Sequence, residues 1–142
     1  MLRVVLDTNV LVSGVISEKG SPRRILAAWK KEYFVLVTSI AIIAEIVRVL
    51  HYPHIKNKYR LEEDDIQLVE TTLANDALVL DDMYQVRRSR DPEDDIFLAC
   101  ALEGRADYIV SGDPHLLEIK YYHGVQIISP SQLLEILEPE EI

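Results

Sequence analysis

A three-layer α/β/α sandwich on a mostly parallel sheet of about five strands is the fold this sequence predicts. Three observations carry that expectation. Short β-branched apolar runs alternate along the chain with stretches of helical periodicity. Several of those runs are apolar at nearly every position, as strands buried on both faces of a parallel sheet must be. The intervening stretches open on Ser-Pro, Asp-Pro or a lone serine, the residues that start helices. Strand then helix, repeated throughout, is the pattern of helices packed on a parallel sheet.

The elements follow in order. "RVVL" (3–6) is the first strand, and "DTN" interrupts it before an apolar run resumes as a helix. Ser21 and Pro22 open the next helix, to about residue 31, with Ser21 as N-cap and Pro22 at the first helical position. "FVLV" (34–37) is the second strand. Ser39 caps a helix to about residue 50, and Pro53 forbids its continuation. A third interstrand helix covers about 61–75, with Ile66, Val69 and Leu73 on one face. "ALVL" (77–80) is a strand, and Asp91-Pro92 starts a helix that ends near Gly104. "DYIV" (107–110), a short helix after Asp113-Pro114, "VQII" (125–128) and a helix from Ser129-Pro130 complete the series. The acidic "EPEEI" at 138–142 reads as a solvated end.

At 142 residues the chain is expected to form one domain with a substantial core. It is 49% apolar and 27% charged, the balance of a soluble globular protein, and no apolar run approaches the roughly 18 residues of a membrane span. "MLRVVLD" meets an acid too early for a signal peptide, and the single Cys100 sits in apolar "IFLACAL", so a buried thiol in a cytoplasmic protein is expected. The net charge of −9 argues against broad electrostatic binding to nucleic acid. It hides an asymmetry, however. Residues 1–60 hold ten Lys and Arg against four acids, whereas residues 61–142 hold five against twenty. "RVLHYPHIKNKYR" (48–60) carries Arg48, Lys56, Lys58 and Arg60, two histidines, two tyrosines and no acid. Such a stretch either meets phosphates locally or is a solvated loop.

The acids sort by the predicted topology. In a parallel α/β sheet, ligands sit at the edge where strands end and helices begin. Asp7 and Asp113 each lie just past a strand, Asp94 and Asp95 in the first turn of a helix, and Glu45 about a turn and a half into another. Each has a structural alternative. Asp7 and Asp113 are good helix caps, Asp94 suits a helix dipole, and Glu45 stands one turn from Arg48. Together, crowded carboxylates raise one another's pKa, a cost that divalent cations such as Mg²⁺ or Mn²⁺ relieve.

With these residues in view, the sequence resembles the PIN-domain ribonucleases, and within them the branch of toxins from toxin–antitoxin systems (VapC-like). The resemblance runs through "VVLDTNVLVSGVIS", "GSPRRILAAW", "FVLVTSIAIIAEIVRVL", "SRDPEDDIFLACALEGRADYIVSGDPHLL" and "VQIISPSQLLEIL". It implies a single PIN domain over 1–142 and a catalytic, metal-binding set of Asp7, Glu45, Asp95 and Asp113. Asp94 is the neighbouring alternative to Asp95, or a holder of a metal-bound water. Thr8 or Asn9 and Ser111 would orient carboxylates or waters. The implied reaction is hydrolysis of RNA phosphodiester bonds with one or two Mg²⁺ or Mn²⁺ ions. The basic segment would guide the RNA backbone through Arg48, Lys56, Lys58 and Arg60, helped by Arg23, Arg24 and the arginines of 87–90. Tyr52 and Tyr59 are candidates for stacking on bases. The resemblance also implies a cognate antitoxin and a homodimer. The rival expectation is a PIN-fold module that binds RNA or protein without cutting. An aspartyl-nucleophile phosphatase is disfavoured because Asn9 stands where a second Asp is needed, and a nucleotide-binding regulatory domain because no phosphate-cradling glycine loop follows any strand.

Overall fold

A computed structural model describes residues 1–87 and 93–137. The elements run β1 (Arg3–Leu6), α1 (Thr8–Ile16), α2 (Ser21–Lys30), β2 (Val35–Ser39), α3 (Ile40–Leu50), α4 (Pro53–Lys56), α5 (Glu63–Asp76) and β3 (Leu78–Leu80). They continue with α6 (Asp95–Glu103), β4 (Tyr108–Val110), α7 (Pro114–Leu117), β5 (Tyr121–Tyr122), β6 (Val125–Ile128) and α8 (Pro130–Ile136). The sheet has six strands in the order β3-β2-β1-β4-β6-β5. Every pairing is parallel except β5 with β6.

The predicted class is therefore observed, with one strand more than expected. The extra strand, β5, pairs Tyr122 with Val125 across His123 and Gly124, whose φ angles are 48° and 87°. Two successive positive φ values make the type I′ turn that fits a two-residue hairpin. A His-Gly pair is a weaker signal for it than Asn-Gly, and the two-residue strand left no alternation to read.

Other boundaries moved by a residue or two. Gly20, not Ser21, occupies the N-cap of α2, so Pro22 falls at the second helical position. Pro53 ends α3 as expected but starts the short α4. α6 begins at Asp95, with Asp94 in the N-cap position; the expected start at Asp91-Pro92 lies outside the described residues, as do Arg88, Arg90 and the 138–142 tail.

The strand order explains the layers. The chain moves outward through β1, β2 and β3, then crosses back to β4 on the other side of β1. Right-handed crossovers in opposite directions put their helices on opposite faces. α6 accordingly lies across β1, β2 and β4, while α1, α2, α3 and α5 pack among themselves, joined by α8 against α2. Val4, Val5, Leu36, Val37, Ile109 and Val110 are buried at 2% exposure or less, which accounts for their near-continuous apolarity. Cys100 is buried, and desolvation followed by the charges of Asp82 and Glu103 pushes its thiol up to about 12, so it stays protonated and inert. Two glycines permit close approach. A Cβ on Gly104 would lie 2.5 Å from Val37 Cγ1, and one on Gly14 would lie 2.7 Å from Leu26 Cδ1. Among the described residues, no helix is long and apolar enough to cross a membrane.

Candidate active site

The sheet reverses its direction of growth between β1 and β4, and the carboxyl ends of the strands at such a switch point are where parallel α/β sheets take their ligands. Asp7 leaves β1 there, its backbone N–H donating to the Val110 carbonyl at 3.0 Å. Its side chain is 4% exposed. Oδ1 accepts the Val10 N–H at 2.8 Å and so caps α1, while Oδ2 accepts the Ser111 hydroxyl at 2.5 Å. The helix cap and the link to Ser111 thus use different oxygens of one carboxylate. Ser111, fully buried just past β4, also accepts the Asp113 N–H at 2.9 Å. Asp113 caps α7 through its own Oδ1, which accepts the His115 N–H at 2.9 Å. One hydroxyl therefore ties the two strand ends and their acids together.

The electrostatics follow from this placement. Burial pushes the Asp7 carboxyl above its ordinary value, against the pull of the Ser111 and Val10 donors. The charges of Asp113 and Glu45 push it further the same way, so all three acids share one field. Glu45 is half-buried on α3, whose first turn is capped twice. Ser39 Oγ accepts the Ile42 N–H at 3.2 Å, and Asp82 Oδ2, from the loop after β3, accepts the Ala41 N–H at 2.8 Å. Arg48 stands one turn beyond Glu45, and its guanidinium is held protonated first by a hydrogen bond with Tyr52, then by Glu45 and Glu93.

Asp94 and Asp95 are both 8% exposed at the start of α6. Thr8 is buried and its hydroxyl has no hydrogen-bond partner among the described residues; the same holds for Thr38 at the end of β2. Asn9 is exposed. Among the described residues, no three His, Cys, Asp or Glu side chains form a group that could hold a metal ion as they stand. The donors themselves are all oxygens, carboxylates with buried hydroxyls beside them, which is the set a hard cation such as Mg²⁺ or Mn²⁺ takes.

The basic segment is less free than its composition suggests. Lys56 Nζ meets Glu63 Oε1 at 2.5 Å, and His51 Nε2 lies 3.0 Å from the same carboxylate. His51 Nδ1 is 2.9 Å from the Val47 carbonyl. Lys56, then His51, hold the Glu63 carboxyl down to about 2, and Glu63 in turn raises His51. Lys58 sits 5.4 Å from the centre of the Tyr59 ring, and Arg60 is exposed with a φ of 53°. Arg48 and Lys56 thus face acids, while Lys58 and Arg60 face outward. Sequence reasoning missed Glu63, whose partners lie 7 and 12 residues back, and Asp82, whose partner lies 41 residues back; the local signal for Glu63 was the acidic "LEEDD" directly after the basic stretch.

Comparison with known proteins agrees with this architecture. An uncharacterized protein of Methanocaldococcus jannaschii, MJ1680, is 30% identical over 119 residues, 84% of this chain and 76% of that protein. Among solved structures, VapBC2 from Rickettsia felis, bound to a DNA fragment from their promoter, superposes with a TM-score of 0.58. The likeness covers 90% of this chain and 98% of that one at 14% identity, which speaks for the fold alone. Residues 3–115, from β1 through Asp113, match the PIN domain family, and the chain belongs to it.

Proposed function

We propose that this protein is a divalent-metal-dependent endoribonuclease, the toxin of a toxin–antitoxin pair. The observation that carries the reading is the junction at the sheet's switch point: buried Asp7 joined through the Ser111 hydroxyl to Asp113, with Glu45 in the same field. A buried carboxylate that its neighbours' charges make costlier to ionise is explained by a cation that offsets all three. Membership of the PIN family supports the same reading.

Asp7, Glu45, Asp113 and Asp95, with Asp94 beside it, would hold one or two Mg²⁺ or Mn²⁺ ions. When bound, such ions supply an activated water and neutralise charge on the phosphodiester. The remaining work belongs to the chain. Ser111 and the Val10 N–H fix the Asp7 carboxylate, so that its remaining lone pairs are presented in one orientation. The Thr8 hydroxyl, buried and without a hydrogen-bond partner among the described residues, is available to orient a water or carboxylate. Lys58 and Arg60, both exposed, offer cations to the RNA backbone on an otherwise acidic chain. The solved VapBC2 complex, alike in fold, supports an antitoxin as protein partner, and a homodimer is what the resemblance to the VapC-like branch implies.

The deciding experiment compares wild type with Asp7→Asn in RNA cleavage with Mn²⁺, Mg²⁺ or excess EDTA, and in thermal melts with and without Mn²⁺. Cleavage and the Mn²⁺-dependent rise in Tm are expected in wild type and absent in the variant. Cleavage that survives EDTA, or that the variant retains, sinks the metal mechanism. The second reading, a PIN-fold RNA- or protein-binding module without nuclease activity, is the other outcome of the same experiment. RNA binding without cleavage under every metal condition would favour it.

A further inference from the structure

At the carboxyl edge of the sheet, where α3 follows β2 and a loop follows β3, lies a hollow of about 370 Å³ lined in part by Asp95, an acid that the nuclease reading assigns to the metal site. Its apolar lining is Ala41 on the first turn of α3, Ile96 and Ala99 on α6, and Val86, with Asp82 as a second acid. Its outer wall is the loop after β3, from which Tyr84, Gln85 and Arg87 line it. That loop is fixed at two points. Asp82, in the left-handed region at φ 58°, caps α3 through the Ala41 N–H, and the Met83 N–H donates to Glu103 Oε1 on α6 at 2.9 Å. The wall is therefore pinned to both helices that frame the hollow.

Three large apolar side chains stand exposed on or next to this rim: Tyr84 at 51%, Met83 at 76% and Ile40 at 56%. A cluster of exposed large apolar groups beside a polar site marks a place where something binds. Apolar lining, a phenol ring, a carboxamide and a guanidinium together match one chemistry, an unstacked nucleobase with its neighbouring phosphate. The ring offers a stacking face, Gln85 a donor and acceptor for a base edge, and Arg87 a cation in a region otherwise crowded with acids.

We propose that this hollow binds a single nucleobase of single-stranded RNA next to the phosphate that is cut, and so sets sequence preference at that position. The inference rests on the nuclease reading for its geometry, because that reading assigns Asp95 to the metal site and Asp95 also lines the hollow.

The test is binding and cleavage measured separately. Binding uses a short fluorescein-labelled single-stranded RNA of mixed sequence, followed by anisotropy in an Asp7→Asn background. Tyr84→Ala is expected to weaken it by roughly 5- to 100-fold, the range for loss of one base–aromatic stack, and Tyr84→Phe to restore it. Ala99→Leu, which fills the hollow without removing any contact group, is expected to weaken it similarly. Cleavage uses the Asp7 protein on the same RNA, where Tyr84→Ala and Gln85→Ala should flatten the nucleotide preference beside the cut. Binding unchanged in both Tyr84→Ala and Ala99→Leu, with an unaltered cleavage pattern, overturns the proposal and leaves the nuclease reading intact. No metal-dependent cleavage by wild type, with Tyr84→Ala still weakening binding, overturns the nuclease reading and retains the base site.

Discussion

Replacing Ser111 by alanine removes one hydroxyl that serves two partners. In the native protein it donates to the buried Asp7 carboxylate at 2.5 Å and accepts the Asp113 N–H at 2.9 Å. A hydrogen bond to an ionised group contributes about 1.5–3 kcal/mol, whereas a neutral N–H that water can reach instead contributes about 0.5–1. Asp113 is half-buried, so the second figure applies to it. The two together give a loss of about 2–4 kcal/mol, and at this chain length each kcal/mol moves Tm by about 3–4 °C, a drop of roughly 6–15 °C. The sign of the pH dependence follows. The Ser111 bond lowers the Asp7 pKa, so its contribution is present while Asp7 is ionised and fades as pH falls through the raised Asp7 pKa. The deficit should therefore be largest at neutral pH and smaller in acid. Circular-dichroism melts of both proteins at neutral and acid pH measure it, and calorimetric titration with Mn²⁺ should show affinity weakened about 10- to 100-fold. A neutral-pH drop below roughly 3 °C would refute the claim that this hydroxyl holds the Asp7 charge. So would a deficit that grows in acid.

Two further predictions concern packing and surface charge. Gly104→Ala places a Cβ 2.5 Å from Val37 and 2.9 Å from Leu80, so urea unfolding should show a loss of about 1–3 kcal/mol. Gly112→Ala, where nothing lies within 4 Å, should change stability by less than about 0.5 kcal/mol. Glu63→Gln should bring the His51 pKa, read by NMR titration, back down toward its ordinary value. The His51 contribution to stability is complete below that ordinary value and is lost as pH rises through the raised one. Glu63's own contribution is present above about 4.5 and is lost as pH falls toward about 2. A titration curve for His51 indifferent to Glu63→Gln would show the pairing to be absent in solution.

Much of this protein was legible in one dimension. The strands at β1, β2, β4 and β6 were readable because burial on both faces demands consecutive apolar residues, as Val4, Val5 and Leu6 display. Ser39, Ser129 and Asp113 marked helix starts because capping is a local bond, spanning two or three residues. The candidate acids were legible for the same reason, since a strand–helix boundary is a local event and topology then assigns it an edge. The tertiary structure alone decided what joins those acids. Ser111 and Asp7 are 104 residues apart in the chain, and only the parallel pairing of β1 with β4 makes them neighbours. The same holds for Asp82 capping α3 across 41 residues. Glu63, nearer in the chain, reaches Lys56 and His51 only because the segment between α3 and α5 folds back. Composition made 48–60 look uniformly cationic, but charge is neutralised in space, and that required the fold. The carboxylate that stopped the first strand was visible as a cap or a ligand. That it performs the capping with one oxygen and faces Ser111 with the other depended on where β4 lies.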